Sequence, residues 1–264
     1  MDNAMQIPFY KVPQNKISIS FTWDDNSVRH SSIIAPLFLE NGFRCTFYVV
    51  PGDPKFDSSY ARGYAGLQKQ GFEIGSHSYS HKYMCSLSKE ETEFELRESV
   101  GKILKCVNHY PLTFAFPNHD YNESLVQLAR NYHLETRNTL ANSIRFSIKT
   151  DTVLIKLIES INEAILNKTN LVFSGHSLVN EKEFLNKEVG GGYQPMRISL
   201  LESLLRYLKT VVPNAEIITF SQAAVREWIK KTALLQNNGW DVSGEDLEEL
   251  EKYSITKDNI LSLV

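Results

Sequence analysis

Two histidines four residues apart, His77 and His81, stand in the run Gly75-Ser76-His77-Ser78-Tyr79-Ser80-His81, and adjacent acids stand in Thr22-Trp23-Asp24-Asp25-Asn26. At about 3.6 residues per turn, positions i and i+4 share a face, so the spacing predicts a helical turn that offers both imidazoles to one metal ion. Ser78 follows the first histidine where the helical zinc-protease signature needs a glutamate, which excludes that chemistry. Two imidazoles and one carboxylate form a three-ligand set that leaves a position open, as a hydrolytic metal site requires. A second carboxylate beside the ion could take a proton from attacking water, and a histidine on the opposite side could protonate the leaving group. Asp24 and His176 fit those parts. The acids also suit a plain helix cap, and His176 a histidine bonded to backbone.

These residues share one relation to the elements that carry them. Residues 17–21 alternate apolar and polar, predicting a half-buried strand that exits into the acids. A short apolar stretch at 71–74 predicts the strand that delivers His77, and 171–174 the strand that ends in Gly175-His176. Further strands are expected at 45–50, 113–116, 134–137, 144–148 and 216–219. Helices are expected at 29–41, near 60–70, from the capping box Ser88-Lys89-Glu90-Glu91 to about Val107, and at 122–132, 152–167, 197–210 and 221–235. Strands and helices alternating at such intervals specify a parallel sheet covered by helices, either open or closed into a barrel. A barrel would bring Asp24, Asp25, His77, His81, Asn118, His119, Arg137 and His176 to one mouth. Residues 1–235 read as that domain, and 236–264 as an acidic helical tail without chemistry.

With 264 residues, of which 42% are hydrophobic and 22% charged, the chain can bury a sizeable core. Its net charge of −3 gives no basic excess that would argue for nucleic acid. No stretch is apolar for the length of a membrane span, and no leader is visible at the start, so the expectation is a cytoplasmic protein or a secreted one with its leader removed. Three cysteines without a CxxC pair argue against a disulfide framework. Oligomeric state is not legible.

Thr22-Trp23-Asp24-Asp25-Asn26 resembles the first motif of the polysaccharide deacetylases (the NodB-homology, carbohydrate esterase 4 group), and His77-Ser78-Tyr79-Ser80-His81 resembles their His-Ser/Thr-x-x-His motif. Phe114-Ala115-Phe116-Pro117 is similar to the third motif in members lacking its arginine. Val172-Phe173-Ser174-Gly175-His176 resembles the strand that delivers the last histidine, and Ile217-Ile218-Thr219-Phe220 the closing strand. The resemblance spans about residues 15–228. It implies a distorted α/β barrel of roughly seven strands, with Asp25, His77 and His81 holding one divalent metal, Asp24 as general base and His176 as general acid. Zinc is the expected ion, and cobalt, nickel or manganese would also be accepted. A backbone N–H after the third motif would help hold the oxyanion.

Three departures bear on the site. Asn26 replaces the usual glycine, at a turn where left-handed backbone is expected. Ala115 stands where many relatives carry the arginine that fixes the base, and Arg137 is a substitute for holding base or acid. The aspartate-tryptophan motif that orients the acid histidine in some members has no clear counterpart. Trp23, Pro117, Asn118, His119, Arg137 and Tyr193 are candidate substrate contacts, Tyr193 from the edge run Gly190-Gly191-Gly192-Tyr193; Trp23 fits core packing equally. His30, His109 and His133 read as surface or packing residues. The expected activity is removal of acetyl from N- or O-acetylated sugars. The rivals are a metal-dependent amidase acting on a non-sugar C–N bond and a catalytically silent carbohydrate-binding barrel.

Overall fold

Strand β1 (Ile17–Trp23) runs through the middle of the sheet with all seven residues buried. The computed structural model describes residues 16–186, 194–212 and 215–237. The alternation suggested a half-buried strand, but the polar half of β1 does not meet solvent either. Ile19, Phe21 and Trp23 pack into the main core. Thr22 donates its hydroxyl to the Phe173 carbonyl at 3.0 Å, and the Ser18 hydroxyl accepts from Arg226 at 3.3 Å. A curled sheet has an interior of its own, and small hydroxyl side chains fill it once their hydrogen bonds are met.

The other strands are β2 (Thr46–Val49), β3 (Glu73–Ser76), β4 (Thr113–Phe114), β5 (Glu135–Thr136), β6 (Ser143–Ser147), β7 (Asn170–Gly175), β8 (Leu178–Val179), β9 (Met196–Arg197) and β10 (Ala215–Ile217). The helices are α1 (Ala35–Glu40), α2 (Ala61–Lys69), α3 (Lys89–Val107), α4 (Glu123–Arg130), α5 (Leu154–Asn167), α6 (Glu181–Leu185), α7 (Ile198–Val211) and α8 (Phe220–Asn237). The expected elements are present, with β3 two residues later than its apolar stretch. Gly71, at φ +87°, closes the end of α2 and delays the strand. The short strands β8 and β9 and helix α6 were not expected, although Asn180 and Glu183 form a capping box at the start of α6.

All ladders are parallel. The sheet runs β5-β4-β3-β2-β1-β7-β6, and β10 pairs with the first half of β1. A flat sheet would hold β5 and β1 roughly 19 Å apart, yet Arg137, just past β5, bonds Asp24, just past β1. The sheet therefore curls into a half-barrel. Among the described residues no ladder joins β5 to β6; Arg145 of β6 bridges the seam to the Asn138 carbonyl. Because β1 is central, the strand ends meet without full closure.

Near the start of β3, the buried Glu73 carboxylate accepts from Thr46, Thr113 and the Ser221 N–H at the start of α8. This ties three parts of the fold to one side chain.

Candidate active site

Asp24 leaves β1 with its N–H on the Gly175 carbonyl at 2.8 Å, so the strand ends that deliver the acids and His176 are in register. Asp25 then takes a left-handed backbone, φ +63°. The expected left-handed residue was Asn26. Instead, the Asn26 amide donates to the Val50 carbonyl at 2.7 Å and accepts the Val50 N–H at 3.2 Å, clamping the turn to the end of β2.

His77 and His81 are not on a helical turn. Ser78 and His81 have φ of +60° and +59°, which breaks the right-handed path and folds the segment as a loop. The Ser78 hydroxyl accepts the His81 N–H at 3.0 Å. Glu95, buried on α3, receives the Ser80 N–H at 2.7 Å and the Ser80 hydroxyl as well. Nothing in the local pattern marks this brace, since Glu95 lies in an ordinary charged helix run.

His77 is buried, with Nδ1 2.7 Å from the Ala115 carbonyl. A carbonyl can only accept, so Nδ1 carries the hydrogen and Nε2 presents its lone pair to the acids. Burial pushes this imidazole down to about 4, which keeps it neutral as a ligand must be. His77 Nε2 lies 3.8 Å and His81 Nε2 3.2 Å from Asp25 Oδ1. The donor atoms of Asp25, His77 and His81 all lie within 4.8 Å of one another. With one carboxylate, two imidazoles and one ring already oriented from behind, the set fits a divalent ion.

Asp24 is held differently. Arg137 donates Nη2 to Asp24 Oδ2 at 2.7 Å and Nη1 to Oδ1, with Nη1 also 3.0 Å from the Thr22 hydroxyl. The guanidinium lies over the Tyr48 ring. Burial alone would raise the Asp24 carboxyl, but Arg137 and then His77 outweigh it and hold it well below the usual range. The arginine missing at Ala115 is thus replaced by one that directly follows β5, and it holds the base candidate rather than the acid.

Asp24, Asp25, His77, His81, His176 and Arg137 line one cleft of about 590 Å³, with Asn118 and His119 on its wall. Both wall residues have φ of +55°. The His176 carbonyl accepts from His30 Nε2 at 2.8 Å. That bond makes His30 Nδ1 the acceptor for the Tyr64 hydroxyl at 2.9 Å, and Tyr64 in turn receives the Ser27 N–H at 3.3 Å. His30 is fully buried, so it is a packing residue that also props the backbone of His176. A lone histidine between Arg29 and Ser31 carries no pattern that would have marked it.

Two candidate contacts are not on the cleft. Trp23 is fully buried, its ring against Gly175, where an added Cβ would sit 3.0 Å from the indole. Pro117 is buried and does not line the cleft, although its neighbours Phe116 and Asn118 do. Tyr193 and the glycines before it lie outside the described residues, as does the tail beyond 237. No helix among the described residues is long and apolar enough to cross a membrane.

A curled parallel half-barrel with an Asp-His-His cluster on its C-terminal rim defines a NodB-type α/β fold with a candidate metal centre. Residues 11–136 match the polysaccharide deacetylase family model. Over that stretch the chain is similar to the polysaccharide deacetylases, and its fold is that of the carbohydrate esterase 4 structures. Similar solved structures include the esterase domain of a multidomain xylanase from the hindgut metagenome of Trinervitermes trinervoides, at 16% identity and TM-score 0.55, covering 81% of this chain and 92% of that one. Another is the peptidoglycan deacetylase PdaC from Bacillus subtilis, at 16% identity and TM-score 0.54, covering 87% and 100%. A third is a mutant of a family pseudoenzyme with restored enzymatic activity, at 15% and 0.56, covering 81% and 69%. Identities this low speak for the fold alone. The comparison with curated proteins gave no match.

Proposed function

We propose that the chain is a metal-dependent hydrolase that removes acetyl groups from N- or O-acetylated sugars or polysaccharide, with zinc as the preferred ion. The observation that supports this most is that Asp25, His77 and His81 share one cleft with a second carboxylate and a further histidine. A divalent ion held by Asp25, His77 and His81 would supply Lewis-acid polarisation of the acetyl carbonyl and a lowered pKa for water. Asp24, kept ionised and fixed in plane by Arg137, accepts the proton of the attacking water. His176 protonates the departing amine or alcohol. The backbone N–H of Asn118, a residue of the cleft wall, would be the donor to the developing oxyanion.

The test is acetate release from a mixed panel of N- and O-acetylated sugars, with added zinc or cobalt and again with a chelator. Chelator-sensitive acetate is the expected result. No acetate from any member, with metal shown to be bound, would overturn the reading and favour an amidase built around the altered wall at Asn118 and His119.

A further inference from the structure

Past His119, Arg137, Ser147 and Ser174 the metal cleft opens into a second cavity of about 430 Å³. That volume lies within the roughly 300–1,000 Å³ of small-ligand sites. Two walls decide its chemistry. Tyr121 comes from the loop before α4, half-buried and stacked on Phe116. The other wall is β6. Strand alternation turns Ile144 and Phe146 into the core, which sends Arg145 and Ser147 the opposite way. Lys149, two residues on, continues the row into the metal cleft.

Charge is not balanced along this row. Arg137 is neutralised by Asp24. Arg145 gives one N–H to the Asn138 carbonyl, which steadies its guanidinium at the seam, and neither it nor Lys149 pairs with a carboxylate among the described residues. Among the described residues no carboxylate lines the second cavity, and the only acids of the first are Asp24 and Asp25. On a chain of net charge −3, two cations without counter-ions beside a cavity form a local field that favours an anion.

We infer that the second cavity is a subsite for the sugar unit next to the acetylated one, and that Arg145 and Lys149 select a unit bearing an anionic substituent. Tyr121 offers that unit a ring face to lie against. The inference rests on the deacetylase reading for the identity of the ligand, not for the existence of the subsite.

The experiment compares acetylated tetrasaccharides of one length: neutral, carboxylate-bearing and sulfated. With zinc-loaded protein at low salt, an anionic tetramer is expected to exceed the neutral one by about tenfold or more in kcat/KM, chiefly through KM. High salt should shrink the difference, and Arg145→Gln with Lys149→Gln should abolish it. The carboxylate and sulfate arms tell which anion is meant. Equal turnover of neutral and anionic tetramers, or a preference that survives the double substitution, would overturn the inference. Calorimetric binding of the same tetramers to metal-free protein reads the subsite without chemistry. An anion preference there, lost in the double variant but without acetate release, would sink the deacetylase reading and leave the subsite standing. No preference in binding would sink the subsite.

Discussion

Arg137 grips Asp24 through both terminal nitrogens of its guanidinium, although three strands lie between β5 and β1. The contact fastens the open side of the half-barrel to its central strand, and it fixes the base candidate. Arg137→Leu leaves a buried, uncompensated carboxylate and should destabilise the fold by about 3–5 kcal/mol, read from urea denaturation. Arg137→Lys keeps the charge but not the fork, so turnover should fall further than stability does. The Asp24 carboxyl is held below its unfolded value. Its contribution is therefore present above the ordinary aspartate range and is lost as pH falls below it. A Leu variant as stable as the parent would show that the pair is not a structural tie.

Removing ligands and removing the base should separate. Asp25→Ala or His77→Ala should lose both bound metal and acetate release. Asp24→Asn should keep the metal while turnover drops by roughly 10²–10⁴. Metal content after gel filtration, measured beside activity, distinguishes the two; an Asp24→Asn protein that turns over normally would dismiss Asp24 as base.

Glu95 braces the histidine loop through Ser80, away from the metal-facing atoms. Glu95→Leu should weaken metal affinity by about 10–100-fold in a chelator competition. Glu95→Gln retains one acceptor and should recover part of it. Unchanged affinity in the Leu variant would mean that the loop holds its own shape.

His30 predicts a pH effect on the metal-free protein. Burial pushes both His30 and His133 down to about 4. Between that value and the unfolded value of about 6.5, the unfolded chain binds protons that the folded one refuses. Stability should thus be full above about pH 6.5 and fall toward pH 4, by at most about 1.4 kcal/mol per pH unit for each histidine. His30→Phe should flatten one share of that slope. It should also lower kcat more than it changes KM, because the His176 carbonyl loses its support. A slope identical in the Phe variant would contradict the assignment.

The residues of the cleft were legible because their types are scarce and their places at strand exits repeat. Asp24, Asp25, His77, His81 and His176 come together as expected. The shape of the histidine segment was not legible, since four-residue spacing is equally compatible with a helical turn and with a loop whose Ser78 and His81 are left-handed. The β1 alternation misled for another reason: inside a curled sheet, Ser and Thr side chains bond to carbonyls and to Arg226 of α8, and local pattern cannot tell that lining from solvent. Glu73, Glu95 and His30 act across the chain on partners that no short window contains. Arg137 could be nominated as a stand-in, but only the curl of the sheet decides which group it holds.

Asp25, Ser78, His81, Asn118 and His119, all non-glycine and all at the rim of the cleft or in its histidine loop, adopt left-handed backbone. Each such residue is disfavoured by about 1–2 kcal/mol against the ordinary conformation. The helical shell and the Glu73 tie must offset that burden, so the rim is where this molecule gives up robustness. A selection for heat resistance would accordingly gather its changes on the outer helices, and adaptation of the rim would be tolerated only in a protein already stabilised elsewhere.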